Sequence, residues 1–250
     1  MATVWQQVGV FVQTLANFDH GKMQICKDAG IRWFAPVIYG DDVAGPSNRD
    51  LLPQRIEEAK AYNMYPVGWF NLFNDPDREK DAVACSGYVY RFKLKAAIFD
   101  MELQYKYPEY DPNGMPEFFK VWRIHRPTLQ TGVSSYGFMD RAMIWTACKN
   151  QKIRYLPQSY YLYDGKYDPS WCMNDIKTNR FTDPNLGGIP LNYVHFTISD
   201  IEGHSIQEGI NRIRKAKTYG FSQGYSIYDG EHLTAADGGF VNMAPELRSL

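Results

Sequence analysis

The chain has 250 residues, 44% of them hydrophobic and 22% charged, and its 27 Lys and Arg nearly cancel its 28 Asp and Glu to leave a net charge of -1. That length suffices for a sizeable core, while the near-neutral balance, with no block of five like charges, argues against a nucleic-acid or anionic-membrane partner. Apolar stretches such as 96–99 fall far short of the roughly 18 residues a membrane span needs, and Met1–Val12 lacks the basic start and long apolar run of a secretory leader.

Read for period, the sequence alternates short β-rich apolar runs with stretches of helical spacing. The first strand is expected over Val8–Gln13, followed by a helix over Asp19–Ala29 that carries Met23, Cys26 and Ala29 on one side and stops at Gly30. The second strand, Arg32–Tyr39, leads through Asp41 and Asp42 to a helix over Leu52–Tyr62, with Pro53 in its first turn and Ile56, Ala59 and Tyr62 on one face. Strand Tyr65–Phe70 precedes a helix over Arg78–Tyr90, strand Ala96–Glu102 precedes Pro116–Ile124, and strand Leu129–Ser134 precedes Asp140–Asn150. Strand Tyr155–Leu162 is followed by a longer stretch, Tyr167–Asn192, whose Pro169, Pro184, Gly187, Gly188 and Pro190 read as a short helix plus an extended loop. Strand Tyr193–Ser199 leads to helix Ser205–Tyr219, with Ile206, Ile210, Ile213 and Ala216 as its stripe and Gly220 as its stop. After the eighth strand, Gly224–Tyr228, only Leu233–Leu250 remains, so the closing helix must be short or irregular.

Eight such units, with strand starts about 24 to 38 residues apart, suit an α/β fold of the (β/α)8 TIM-barrel type, with residues 1–250 as a single domain. The competing doubly wound sheet lacks its glycine-rich turn, since Val12, Gln13, Thr14 and Leu15 follow the first strand. The usual nucleotide cradle is missing with it, and no cofactor is expected. Cys26, Cys85, Cys148 and Cys172 stand singly and read as buried thiols, and the five histidines show no ligand spacing, so no metal is expected either. Gly220-Phe221-Ser222-Gln223-Gly224 spells a nucleophile motif but joins a helix to a strand, the reverse of a serine elbow.

In such a barrel the active site lies at the C-terminal strand ends. The fourth strand runs from Ala96-Ala97-Ile98-Phe99 into Asp100-Met101-Glu102, and the period of two places Asp100 and Glu102 on one face. Two carboxylates held close repel, which tends to keep one protonated as a general acid beside an anionic partner. Asn71 after the third strand, Gln158 and Tyr160 on the sixth, Asp200 after the seventh and Asp229 after the eighth are candidate substrate-binding groups, with Trp69 as a candidate sugar platform. Asp41, Asp42, Asn74, Asp164, Glu202 and Glu231 fall at strand ends too, Gln13 is a further inward candidate, and Trp33, Tyr105, Tyr136, Tyr163 and Tyr228 alternate with them. With 6 Trp, 18 Tyr and 14 Phe, the chain suits either an aromatic core or a groove that stacks on sugar rings. The bland alternatives are a loop-solvating or helix-capping Asp-x-Glu, a helix-capping Asp200 and a turn at Asp229-Gly230.

The Phe99-Asp100-Met101-Glu102 segment resembles the Asp-x-Glu signature of family 25 glycoside hydrolases, the Chalaropsis-type lysozymes, and more distantly the end of the chitinase-type family 18 motif. Asp28-Ala29-Gly30-Ile31-Arg32-Trp33-Phe34 is also similar to the first family's pattern. The resemblance implies that Glu102 donates the proton to the glycosidic oxygen and that Asp100 stabilises the charge on the sugar, through the substrate's N-acetyl group or directly. It implies peptidoglycan as substrate. Where that lysozyme family carries an Asp at the end of strand one, this chain has Gln13-Thr14, and Lys95 and Ile98 occupy the places of two further acids of the family 18 motif. The competing expectation is therefore a barrel without catalysis, a carbohydrate-binding or structural part of a larger protein assembly such as a phage tail or a cell-surface complex. Either way the partner is a carbohydrate and the expected location is cytoplasmic or virion-associated.

Overall fold

A computed structural model describes residues 3–40, 46–72, 77–101, 114–136, 152–158, 193–199, 206–218, 220, 223–228 and 244–250. Eight parallel strands close on themselves in sequence order: β1 (Gly9–Val12), β2 (Trp33–Tyr39), β3 (Tyr65–Leu72), β4 (Ala96–Met101), β5 (Gln130–Tyr136), β6 (Arg154–Gln158), β7 (Phe196–Ile198) and β8 (Tyr225–Ile227). Pairing of Gly9 with Ser226 and Val10 with Ile227 closes the ring, so the sheet has no free edge. The (β/α)8 expectation is met, and each of the eight strands falls on its expected run.

Around the barrel lie α1 (His20–Asp28), α2 (Pro46–Ala61), α3 (Arg78–Phe92), α4 (Gly114–His125), α5 (Ile206–Thr218) and the short α6 (Ala244–Arg248). Their starts are chemically marked. Asp19 accepts the Lys22 N–H at 3.0 Å and Asp77 the Lys80 N–H at 2.9 Å, satisfying amides that have no partner inside the helix. α2 begins six residues before its expected start at Leu52, leaving Pro53 in its interior. The proline that suits a first turn is Pro46, because the N–H it lacks would be unbonded there anyway.

Strand alternation divides the core in two. Val10, Val12, Phe34, Phe70, Ala97, Phe99, Val133, Tyr155, Phe196 and Ile227 face the helices in one buried cluster. Phe11, Trp33, Ala35, Val37, Val67, Trp69, Ala96, Ile98 and Leu156 fill the lumen with Val4 and Trp5. The last two come from a 3-10 turn, Val4–Gln6, that closes the N-terminal end of the barrel. Its backbone is tied in by Val4 N–H to Gln130 Oε1 at 3.0 Å, Gly224 N–H to Trp5 O at 2.8 Å, and His195 Nδ1 to Trp5 O at 3.0 Å. Gly224 must be glycine, since a Cβ there would overlap the backbone of Gln7.

Cys26 and Cys85 are buried free thiols whose pKa burial pushes upward, which keeps them protonated and inert. Among the described residues no helix is long and apolar enough to cross a membrane. The expected helix Asp140–Asn150, the stretch Tyr167–Asn192, and Cys148 and Cys172 lie outside the described residues.

Candidate functional site at the barrel mouth

Inward positions recur every second residue along a strand, so a polar residue at the last inward position reaches the C-terminal end. On β4, Ala96 and Ile98 line the lumen, and the next inward residue is Asp100, 6% exposed. It pairs in register with Asn71 on β3 and with Ser134 on β5. From β6, Gln158 Nε2 donates to Asp100 Oδ1 at 3.3 Å and to Ser134 Oγ at 3.2 Å. Asn71, Ser134 and Gln158 are buried as well. The carboxyl group so placed accepts from the neutral Gln158 amide.

Asn71 is set by a close approach. At Gly40, just beyond β2, the backbone has φ +134°, and a Cβ would come within 2.8 Å of both Asn71 Cβ and Asn71 O. Asn71 Oδ1 and the Trp69 indole N–H are buried without a hydrogen-bond partner. An orphaned buried polar atom costs about 1–3 kcal/mol, and these two atoms are unsatisfied polar groups on the strand beside Asp100.

Trp69 belongs to an aromatic column that runs the length of the lumen. Trp5 meets Trp33 at 6.5 Å, Trp33 meets Phe11 at 5.7 Å, Phe11 meets Trp69 at 5.2 Å and Trp69 meets Tyr228 at 5.6 Å, all edge to face. At the top the Tyr228 hydroxyl donates to Gln13 Oε1 at 2.6 Å, joining the residue after β8 to the residue after β1. Gln13 is itself anchored: Asn48 Nδ2 donates to Gln13 O at 2.7 Å while Asn48 Oδ1 accepts the Leu15 N–H at 2.9 Å. Asn48, on α2, carried no signal in the sequence, because its partners are main-chain groups more than 30 residues away.

Of the sequence candidates, Asp100, Asn71, Gln158 and Trp69 come together at the mouth. Glu102, Tyr160, Asp200 and Asp229 lie outside the described residues, as do Asp41, Asp42, Asn74, Tyr105, Tyr163, Asp164, Glu202 and Glu231. Trp33 is corrected: it is the first residue of β2, so it sits fully buried at the closed N-terminal end, away from the mouth. There it packs beside His195, at 5.6 Å, and Trp5. Burial lowers the His195 pKa from 6.5 to about 4, against the Trp5 carbonyl, which raises it. Among the described residues no group of three His, Cys, Asp or Glu is arranged to hold a metal.

The sequence matches no protein-family model and no curated protein sequence. Solved structures do match. A GH18 chitinase from Pseudoalteromonas aurantia superposes over 96% of this chain and 99% of its own, with a TM-score of 0.69 at 10% identity. The spore cortex-lytic enzyme SleL of Bacillus megaterium QM B1551 matches over 96% of this chain and 73% of its own, TM-score 0.61 at 10% identity. A sugar phosphate isomerase/epimerase from Parabacteroides distasonis matches over 100% and 98%, TM-score 0.59 at 14% identity. The likeness is one of fold. At these identities it spans glycosidases and an isomerase alike, so the chemistry must be argued from the mouth.

Proposed function

We propose that this barrel is a glycoside hydrolase that cleaves a polysaccharide at its C-terminal mouth, with Glu102 as general acid/base and Asp100 as its anionic partner. The observation that carries the reading is Asp100, a buried carboxylate at the C-terminal end of β4, held across the mouth by the Gln158 amide. Glu102 follows two positions later in the sequence, the same strand parity. In the reaction Glu102 gives its proton to the bridging oxygen as the C1–O bond breaks. The positive charge left on the sugar is met by Asp100, directly or through a neighbouring acetamido oxygen of the substrate. Water then adds at C1 and returns a proton to Glu102. Trp69 supplies an apolar face near the ring, while Asn71 and Gln158 offer an amide oxygen and N–H groups to its hydroxyls. Tyr160, Asp200 and Asp229 would complete that lining.

The resemblance of Asp100-Met101-Glu102 to family 25 makes peptidoglycan the first substrate to try. The test is release of reducing ends from purified peptidoglycan and a panel of soluble polysaccharides by the wild type and by Glu102→Gln. Loss of activity by several orders of magnitude in a folded variant supports the reading, and equal activity in both refutes it.

One observation favours a second reading, a glycosidase-like barrel that binds carbohydrate without cleaving it, as part of a phage tail or cell-surface assembly. At the end of β1, where family 25 has an acid, Gln13 stands with its Oε1 already engaged by Tyr228. Silence from both proteins on every polysaccharide, together with retention on one of them, supports this alternative.

A further inference from the structure

The end of the barrel opposite the mouth carries a concentration of positive charge that the near-zero net charge conceals. Between Glu117 and Asp164 the sequence has seven Lys and Arg and one acid, Asp140. The fold gathers several of these cations around the turn Pro127–Gln130, which connects α4 to β5. Beside it is a groove of about 260 Å³ lined by Thr3, Arg123, Thr128, Gln130, Lys152 and Arg154, among others, and by no Asp or Glu among the described residues.

The groove is rich in hydrogen-bond donors. Arg123 Nη1 donates to the carbonyls of Arg126 and Leu129, at 3.2 and 2.9 Å, which fixes the turn. Gln130 uses its Oε1 on the Val4 N–H, so its Nε2, a donor, is what it has for a ligand. The Arg154 guanidinium lies 4.1 Å from the centre of the Tyr193 ring, and its Nη1 is buried with no hydrogen-bond partner. Lys152, exposed, stands two residues before it. Burial draws the pKa of both Arg123 and Arg154 downward, in the case of Arg154 against the Tyr193 hydroxyl, which raises it. The favourable site for a cation in the last turn of a helix accounts for Arg123 on α4. It does not account for Lys152 and Arg154, which belong to β6 and the residues before it.

We propose that this groove is a phosphate-binding site, separate from the barrel mouth, in which Arg154 and Lys152 supply the charge and Gln130 and Thr128 supply further donors. Donors converge from the α4–β5 turn on one side and from the start of β6 on the other. A tetrahedral oxyanion, with oxygens pointing several ways, uses both sides at once, whereas a planar carboxylate engages chiefly one guanidinium fork. The small volume suits an inorganic phosphate or one phosphate group of a polymer, and is less than most drug-sized ligands need.

The test is calorimetric titration of the whole chain with sodium phosphate at low ionic strength, comparing the wild type with Arg154→Gln and Lys152→Asn. Asparagine is chosen because residue 152 has φ +53°, which asparagine tolerates. Saturable binding that weakens about tenfold in Arg154→Gln and several-fold in Lys152→Asn is expected. Absence of saturable binding in the wild type overturns the proposal. So does binding unchanged by Lys152→Asn, the variant that keeps the question answerable if Arg154→Gln fails to fold. Long-chain polyphosphate serves as the second probe. Tighter binding per phosphate than the free ion assigns the groove to a phosphate polymer, and equal binding assigns it to the ion; either result requires the same loss in the variants.

Discussion

Lowering the pH from 7 toward 4 should take away stability that depends on a neutral His195. Its ring is fully buried between Trp5 and Trp33, and Nδ1 donates to the Trp5 carbonyl, so the neutral ring is the form that fits. Burial holds its pKa at about 4, with Arg154 adding a smaller push in the same direction, against 6.5 in an exposed chain. Between those values the unfolded protein takes up a proton that the folded one refuses. The contribution of His195 is therefore complete above pH 6.5, declines at up to about 1.4 kcal/mol per pH unit as the pH falls, and levels off near pH 4 after a loss of about 3 kcal/mol. The assay is urea unfolding, followed by tryptophan fluorescence, at half-unit intervals from pH 3.5 to 8, on the wild type and His195→Asn. Asparagine keeps a donor near the Nδ1 position and cannot titrate, so it costs packing at every pH yet lacks this dependence. The advantage of the wild type should shrink by about 3 kcal/mol between pH 7 and pH 4. A difference between the two proteins that stays constant over that range would refute a neutral, desolvated His195.

Three further substitutions report on features of the barrel. Gly224→Ala should destabilise by about 1–3 kcal/mol, because the added methyl overlaps the Gln7 main chain and that main chain must move; thermal unfolding measures it, and an unchanged midpoint would mean the 3-10 turn yields freely. Asn48→Ala should lower stability by about 2–3 kcal/mol in denaturant titrations, since it strands the Leu15 N–H and the Gln13 carbonyl. Gln158→Leu keeps the volume near Asp100 and removes the amide that bonds to it, so polysaccharide cleavage should fall about tenfold or more in kcat with the fold intact; undiminished kcat would remove Gln158 from the site.

The strands were legible because their inward and outward residues differ in kind. Ala96-Ala97-Ile98-Phe99 is apolar on both faces, as a strand covered by helices and packed on a lumen must be, and the first polar inward residue, Asp100, marks the mouth. Trp33 was misleading for the same reason: an aromatic in a strand has the same signature at either end, and only the register, Gly9 opposite Trp33, places it at the base. The 3-10 turn at Val4–Gln6 was illegible because three residues have no period, and its role rests on ties to Gln130, His195 and Gly224 across the chain. α2 was misjudged at its start because two prolines competed for one first turn. The clasp between Tyr228 and Gln13 joins residues 215 positions apart, a distance over which side-chain spacing carries no information.

The closed base has a consequence for how material can move. Trp5, Trp33 and His195 fill the N-terminal end of the lumen without exposed surface beyond 2%, so among the described residues no passage leads through the barrel to its base. A polymer cannot be threaded through it. Any chain that is cut must lie across the rim, and both fragments must leave by the side from which the intact chain arrived. An anion seated beneath the floor is screened from the mouth by that same packed layer, so the two ends can be occupied at once without competing for space.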